Sequence, residues 1–339
     1  MGGVPLELLV ECSKIPLPHY AEPMLMSASF ISGFNAIIPL FILIGLGYLA
    51  KRSVLDSKML PALNTFVYYF AVPALLFNAS RQQPIDHLIN LKGLTAFTLA
   101  ALITAILTVL LCFSVFKARG FNNLVQRGLT ATFANFAYMG IPLVMGVVGA
   151  QAHGALVAII LAGNLFLIAG AQLLIEAHAQ GKLTLKKVGA ILDKALIRNP
   201  IFVSTVLGVL WSALTLPVPT VVDKALGMLA PAAIPVALFC LGAGLQFNRG
   251  SVKVGELSGL IGIKLVLHPL ITYLTFLLLG VDNRSWLLAA VLLTALPTGA
   301  LAHVVALKYN TYATETAQVV VLSTLMSMLT VALWTALLL

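Results

Sequence analysis

Residues 135–143 read Asn-Phe-Ala-Tyr-Met-Gly-Ile-Pro-Leu and place a proline in the middle of a long apolar stretch. Proline removes a backbone donor and clashes with the carbonyl one turn earlier, so it leaves peptide groups that lipid cannot satisfy. A membrane protein tolerates such a break where it lines a polar cavity. Residues 294–303, Thr-Ala-Leu-Pro-Thr-Gly-Ala-Leu-Ala-His, contain a second proline with a neighbouring glycine and hydroxyl groups. The two stretches therefore predict two broken helices beside a polar site.

The composition of the chain is that of a membrane protein. Of the 339 residues, 60% are hydrophobic and 9% are charged, and the mean hydropathy is +1.03. Soluble domains average about 25% charged residues, so this chain lacks the polar side chains needed to cover a water-facing surface. The net charge of +9 would favour nucleic-acid binding in a soluble protein. The basic residues lie in short gaps between apolar runs, which excludes nucleic acid as a partner and makes the lipid bilayer the expected surroundings.

A helix needs about 20 apolar residues to cross a bilayer, and ten stretches of the chain meet this requirement. The sequence therefore predicts an all-α polytopic membrane protein with ten transmembrane helices, of which the fourth and ninth are broken. The predicted spans cover residues 31–50, 61–80, 93–116, 129–149, 154–178, 200–217, 225–247, 257–280, 286–306 and 316–338.

The distribution of Lys and Arg predicts the orientation of the spans, because loops rich in these residues stay in the cytoplasm. The odd-numbered loops contain fourteen of them, Arg127 among these, whereas the even-numbered loops and the termini contain five. We therefore expect both termini on the extracytoplasmic side. Residues 1–30 contain acidic residues and prolines and do not resemble a signal peptide. We interpret them as an extracytoplasmic tail or as the result of a mis-assigned start codon.

Short motifs recur in the two halves of the chain. Residues 39–41, Pro-Leu-Phe, correspond to residues 200–202, Pro-Ile-Phe, at an offset of 161, and Pro73 corresponds to Pro235 at an offset of 162. With five spans in each half, the second half must enter the membrane from the opposite side, which predicts a 5+5 inverted repeat. The first five-helix repeat, a cytoplasmic linker and the second five-helix repeat then cover residues 31–178, 179–199 and 200–339.

The broken helices predict an anion site made of backbone groups. The first amides of a helix lack an intrahelical partner and carry a partial positive charge, which suits a carboxylate. Lys264 is a basic residue inside a span; we place it near the cytoplasmic end of span eight, where its side chain is expected to reach the interface. Glu176 is expected to be the only acidic residue inside a span. A carboxylate proton carrier at the membrane centre is therefore not expected.

The coupling ion stays open between Na⁺ and H⁺. For proton coupling, the substrate's own carboxylic acid, His303 or His268 would have to take part. A sodium site built from carbonyl groups, hydroxyl groups and asparagine is the alternative. We expect no bound cofactor.

Other functional classes lack their characteristic residues in this sequence. Cys12, Cys112 and Cys240 lie far apart, without a Cys-x-x-Cys pair or a histidine cluster, so we expect neither a disulfide framework nor a metal site. The sequence contains no nucleotide-binding Gly-rich loop ending in Lys-Ser or Lys-Thr. It also shows no paired carboxylates or activated nucleophile within the spans, so we do not expect an enzyme. A channel would need a continuous polar stripe, which the spans do not show.

Three motifs carry a resemblance to the auxin efflux carrier family, which includes plant PIN carriers and bacterial malonate and malate permeases. Residues 135–143 resemble the family motif Asn-x-x-x-Met-Gly-Ile-Pro-Leu. Residues 197–200, Ile-Arg-Asn-Pro, resemble the opening of its sixth helix, and residues 296–299, Leu-Pro-Thr-Gly, resemble its ninth helix. These motifs come from both halves, so the resemblance extends over nearly all of the chain after residue 30.

The resemblance implies a transporter with the fold of bile-acid and arsenite transporters, in which helices four and nine cross at their broken centres. Helices 3–5 and 8–10 would form a transport domain that moves against a scaffold of helices 1, 2, 6 and 7, usually in a homodimer. Residues 179–199 are too few to form the long cytoplasmic segment of the plant carriers. A carrier of the bacterial inner membrane is therefore the better match.

The expected function is a permease that moves a small organic anion by alternating access. A mono- or dicarboxylate such as malonate or malate is the expected substrate. The alternatives are a sodium-coupled organic-anion symporter of the bile-acid type or a channel. The residues expected at the substrate are Asn135, Gly140, Ile141, Pro142, Thr294, Pro297, Thr298 and Gly299.

Overall fold

A computed structural model describes residues 38–56, 58–82, 90–180, 184–245 and 253–339. Within these ranges the backbone is helical or irregular and contains no β-strand, and one isolated antiparallel bridge joins Ala134 to Thr298. The prediction of an all-α protein is confirmed. The predicted N-terminal tail, residues 1–30, lies outside the described residues.

The described helices follow one another along the chain with short connections. Their bounds are α1, 38–53; α2, Met59–Arg81; α3, Leu91–Ser114; α4, Phe121–Thr132; α5, Gly140–Val147; α6, Ala150–Ala179; α7, Leu185–Ala195; α8, Pro200–Ala213; α9, Thr220–Gly244; α10, Val254–Leu278; α11, Arg284–Ala295; α12, Ala300–Lys308; and α13, Ala313–Leu338.

Six of these helices are long and apolar enough to cross a membrane. They are α2, α3, α6, α9, α10 and α13. Helices α8 and α11 are apolar but shorter. The fourth predicted span is divided between α4 and α5, and the ninth between α11 and α12, so both predicted breaks are present. The crossing of the membrane by all ten stretches stays a prediction.

Asparagine side chains fix the starts of three helices. Asn90 accepts a hydrogen bond from the Gly93 amide at 2.9 Å before α3, and Asn283 accepts one from the Trp286 amide at 3.1 Å before α11. Asn199 accepts from the Ile201 amide at 3.0 Å before α8. Such caps satisfy amides that have no partner inside the helix. Pro200 then takes the first helical position, where the missing amide costs nothing.

Close backbone contacts join helices from the two halves of the chain. A Cβ atom on Gly242 of α9 would lie 1.8 Å from the Ile44 carbonyl oxygen of α1, and one on Gly208 of α8 would lie 2.7 Å from the Phe77 carbonyl oxygen of α2. Only glycine permits these approaches. Helix α1 is therefore packed backbone to backbone against α9, and α2 against α8, which restricts relative movement within each pair.

Candidate substrate site at the broken helices

The first break separates α4 from α5. Helix α4 ends at Thr132, the next residues are extended, and residues 136–139 form a turn before α5 starts at Gly140. Pro142 lies in the first turn of α5, where amides lack an intrahelical partner in any case. The proline therefore permits a new helix to start here at little cost.

The second break separates α11 from α12. Helix α11 ends at Ala295, Pro297 lies in the irregular segment, and Gly299 precedes the first residue of α12 in an extended conformation. Helix α12 thus begins with its first amides directed toward the first break.

The two breaks satisfy each other's backbone groups. The Asn135 amide donates a hydrogen bond to the Pro297 carbonyl at 2.9 Å, and the Gly299 amide donates to the Phe133 carbonyl at 3.0 Å. The Thr298 hydroxyl donates to the Thr130 carbonyl at 2.8 Å. This mutual pairing satisfies, at both breaks, backbone groups for which lipid would offer no hydrogen-bond partner. We call this contact the junction.

Glycine is required where the two chains of the junction touch. A Cβ atom on Gly299 would lie 2.7 Å from the Ala134 carbonyl oxygen and 2.7 Å from the ring of Phe133. Both neighbours belong to the first break, and the backbone oxygen cannot rotate away. Gly299 therefore permits the approach that the hydrogen bonds need.

We expect Gly299→Ala to destabilise the protein by about 1–3 kcal/mol, the usual cost of forcing a methyl group into packed surroundings. Thermal unfolding in detergent measures this effect, and transport is expected to fall with it. Gly146→Ala in α5 is the matched control, because a Cβ atom there would meet nothing within 4 Å. Equal melting temperatures for the two variants would contradict the assigned role of Gly299.

A cavity of about 360 Å³ lies against the junction. The two breaks, the first turn of α12 and helices α2, α6 and α8 contribute to its walls. The lining residues are Asn64, Tyr68, Phe133, Ala134, Asn135, Phe136, Ala137, Tyr138, Ile160, Asn164, Ile201, Gly299, Ala300, Leu301 and Val304.

The cavity offers hydrogen-bond donors without a charged side chain among its lining residues. Within the described part of the chain, the amides of Ala300 and Leu301 form no backbone hydrogen bond. They stand at the positive end of the α12 dipole. Asn135 also lines the cavity, and its carboxamide has no hydrogen-bond partner among the described residues. Together these groups can bind an oxyanion without a counter-ion.

The predicted site residues divide into two groups. Asn135 and Gly299 line the cavity. The other six do not line it. Pro297 and Thr298 form hydrogen bonds to the first break, and the Thr294 hydroxyl donates to the Ala290 carbonyl of its own helix at 2.9 Å. The remaining predicted residues, none of which lines the cavity, are Gly140, Ile141 and Pro142.

Sequence reasoning did not select the cavity residues that come from outside the broken helices. Asn64 lies on α2, Tyr68 lies one turn later, and Asn164 lies on α6. An asparagine inside an apolar span is a signal that could have identified two of them, since polar side chains are costly in the bilayer and are often functional.

A second cavity of about 540 Å³ adjoins the first. Asn64, Tyr138 and Ala300 line both cavities, so these three residues form the partition between them. His303, one of the predicted coupling residues, lines the second cavity, and its Nδ1 atom has no partner among the described residues. His268 lines neither cavity.

The expectation that Lys264 reaches the membrane interface is wrong. Its side chain is fully buried in a π-helical turn of α10, and its Nζ atom donates to the Thr294 carbonyl at 2.7 Å. The Nδ1 atom of His268, one turn later, lies 3.4 Å from the same Nζ atom. Lys264 lies ten positions after the start of α10 and on the face that packs against α11, so its side chain is enclosed by protein.

The expectation that Glu176 is the only acid inside a span is also wrong. Glu256 is buried in the first turn of α10, where its Oε1 atom lies 2.6 Å from Nε of Arg127. Arg127, counted as a loop residue from the sequence, belongs to α4. The Tyr312 hydroxyl donates to Glu256 at 2.5 Å, and the guanidinium of Arg127 lies 3.8 Å from the centre of the Tyr312 ring.

Burial of the phenol and its bond to Glu256 raise the pKa of Tyr312 well above its usual value. Tyr312 precedes α13 in the loop after α12, so it stays a protonated donor to Glu256. The side chains of Arg127, Glu256 and Tyr312 form a polar cluster. This cluster links α4, α10 and the loop between α12 and α13.

Comparison with known proteins supports a transport function. A sequence model of a family described as "Membrane transport protein" matches residues 32–335. A Rhizobium meliloti protein named "Putative malonate transporter" is 29% identical over 301 residues, which cover 87% of this chain and 92% of that protein. An "Uncharacterized transporter" of Methanothermobacter thermautotrophicus is 24% identical over 91% of this chain and 99% of its own length.

A plant protein shares a shorter region with this chain. "Auxin efflux carrier component 6" of Arabidopsis thaliana is 31% identical over 147 residues, which cover 42% of this chain and 25% of that protein. The family model covers nearly the whole chain, and a bacterial and a plant protein named as transporters or carriers are similar to the chain. The resemblance found in the motifs is therefore confirmed. The chain is a multi-pass membrane transport protein, not an enzyme, and it belongs to the auxin efflux carrier family.

Proposed function

We propose that the chain is a secondary transporter of a small organic anion, a mono- or dicarboxylate such as malonate or malate. The observation that carries this proposal is the convergence of the Ala300 and Leu301 amides and the Asn135 carboxamide on one uncharged cavity. The relative named "Putative malonate transporter" supports the substrate class.

In this proposal, one carboxylate of the substrate binds at the start of α12. The amides of Ala300 and Leu301 donate to it, and the helix dipole adds a partial positive charge of about half an elementary charge. The carboxamide of Asn135 supplies a further donor from the first break. The rest of the substrate lies against the apolar side chains of Phe136 and Ile160.

Transport then occurs by alternating access across the partition between the two cavities. Asn64 belongs to α2, whereas Tyr138 and Ala300 belong to the broken helices. Sliding of the broken helices past α2 would therefore open the partition to one side and close it to the other. The backbone contacts of α1, α2, α8 and α9 favour these helices as the scaffold.

We further propose that the ten spans form a 5+5 inverted repeat, assembled as a homodimer in the bacterial inner membrane with both termini outside. The recurring proline motifs support the repeat, and the excess of Lys and Arg in the odd-numbered loops supports the orientation. The resemblance to the carrier family supports the dimer.

Proteoliposomes containing the purified full-length chain test the function. When they are preloaded with unlabelled malonate, we expect uptake of labelled malonate by exchange, at a rate at least about ten times that of protein-free liposomes. A difference of this size distinguishes movement by a carrier from passive diffusion. Uptake is then measured with a sodium gradient and with a proton gradient, imposed in separate experiments. Faster uptake with the sodium gradient alone distinguishes a sodium-coupled symporter from a proton-coupled one. Current through single open pores, with no exchange of any mono- or dicarboxylate, would contradict the proposal and favour a channel.

A further inference from the structure

Lys264 is fully buried and has no carboxylate partner within salt-bridge distance in the described part of the chain. A buried ammonium group without a counter-ion is costly, and burial therefore favours the neutral amine. One contact acts in the opposite direction. The Thr294 carbonyl, which accepts from Nζ at 2.7 Å, lies in the last turn of α11, where the helix dipole favours a cation. The protonated and neutral states are thus each supported by part of the surroundings.

His268 adds a second titratable group at the same place. Its ring is fully buried, its Nδ1 atom lies 3.4 Å from Lys264 Nζ, and its Nε2 atom has no partner among the described residues. Two positive charges at this distance in a buried site repel each other strongly. The pair therefore holds at most one net positive charge, and it titrates as a unit.

Other titratable groups lie on the helices that pack against this pair, which are α3, α4, α11 and α13. Arg127 and Glu256 bond to each other and so are compensated. No hydrogen bond or ion pair to Lys264 or His268 comes from any of the described titratable groups on these helices or on α10 itself. Besides the compensated pair, these groups are Lys92, Cys112, Tyr273, Arg284 and Glu315.

The pair is connected to the substrate cavity through the second break. Thr294 precedes Pro297 by three residues, and the Pro297 carbonyl accepts from the amide of Asn135, which lines the cavity. An anion bound in the cavity would bring a negative charge to the other end of this connection, and the buried ammonium group has no carboxylate partner among the described residues. Anion binding and protonation of the pair therefore favour each other, and by linkage each raises the affinity for the other.

We propose that Lys264 and His268 form a buried proton-binding site that carries one proton together with the anionic substrate. The proposal rests on the organic-anion transport proposed above. Protonation places one proton from water on the lone pair of Lys264 Nζ. Release returns this proton to water on the side where the anion leaves, and Nζ becomes a neutral amine. The proton carrier then lies outside the set of residues that line the substrate cavity.

Liposomes that contain a trapped pH-sensitive dye test the coupling. With an inward malonate gradient, we expect the interior of wild-type proteoliposomes to acidify in proportion to the uptake of labelled malonate. Lys264→Arg keeps a cation at the Thr294 carbonyl but cannot release its proton, because arginine stays protonated. We expect its ratio of protons to malonate to fall to near zero, while exchange of labelled for unlabelled malonate continues.

His268→Gln provides a second variant, which leaves the bond between Lys264 and Thr294 in place but removes the other titratable group of the pair. We expect its ratio of protons to malonate to differ from the wild-type value. His153→Gln is the matched control. His153 is also buried, its Nε2 atom also lacks a partner among the described residues, and it lies at the start of the long α6 helix away from the pair. A wild-type ratio of protons to malonate in both Lys264→Arg and His268→Gln would overturn the proposal.

A titration without substrate separates this inference from the transport function. Potentiometric titration of the purified protein over the pH range in which it stays folded should show that the wild type takes up one proton more than Lys264→Arg. Equal uptake by the two proteins would overturn the proton site. Extra uptake by the wild type, together with absent malonate exchange, would overturn malonate transport and leave the proton site standing.

Discussion

Asn135→Ala is expected to weaken malonate binding about ten-fold or more, because a hydrogen bond to a charged group contributes about 1.5–3 kcal/mol. The carboxamide lines the cavity and has no partner among the described residues, so its loss leaves no buried group unsatisfied. The backbone of Asn135 still donates to the Pro297 carbonyl in the variant. The fold should therefore survive, and binding alone should change.

Isothermal titration with malonate measures this change, and thermal unfolding checks that the variant is folded. Asn122→Ala is the matched control, because Asn122 lies on α4 and lines neither cavity. We expect wild-type malonate affinity for the control. An unchanged affinity in a folded Asn135→Ala protein would exclude the junction as the carboxylate site.

Glu256→Gln is expected to have the largest effect on stability, lowering the free energy of unfolding by about 3–5 kcal/mol. The substitution keeps the shape of the side chain but leaves the buried guanidinium of Arg127 without a counter-ion. The bond from the Tyr312 hydroxyl also loses its charged acceptor. Since the cluster fastens α4 and α10 to the loop before α13, its loss should loosen the support of the first break.

Thermal and denaturant unfolding in detergent measure this effect. Asp193→Gln, which removes the charge from an exposed pair with Arg198, is the control and should change stability by less than about 1 kcal/mol. The double variant Arg127→Met with Glu256→Met should recover most of the lost stability, because it removes both buried charges together. Similar losses in Glu256→Gln and the exposed control would contradict the role assigned to the cluster.

The features that follow from single residues were predictable from the sequence. Pro142 and Pro297 mark both breaks, where a proline coincides with a glycine and with polar residues. Pro73 and Pro235, which lie inside the continuous helices α2 and α9, do not mark a break. The motif at residues 197–200 marks the start of α8, where Asn199 is the cap. These signals are local, so they do not depend on which helices become neighbours.

The features that depend on helix packing were not predictable in the same way. Whether Lys264 reaches water depends on the face of α10 that meets α11, and hydropathy does not contain this information. Glu256 lies one residue before the predicted eighth span, and its partner, Arg127, is distant in sequence. Asn64 and Asn164 approach the cavity from helices that contain no break. All of these contacts join residues that are distant in sequence, so they depend on how the helices pack in three dimensions.

The junction has a consequence for the evolution of specificity. Its hydrogen bonds run mainly between peptide groups, so apart from Gly299 they place few demands on side-chain identity. Asn64, Ile160 and Asn164 line the cavity and belong to helices outside the junction. Mutations there can change which acid fits without disturbing the anion-binding amides. The helix architecture and the choice of substrate can therefore change independently. One architecture can give rise to carriers for chemically different acids.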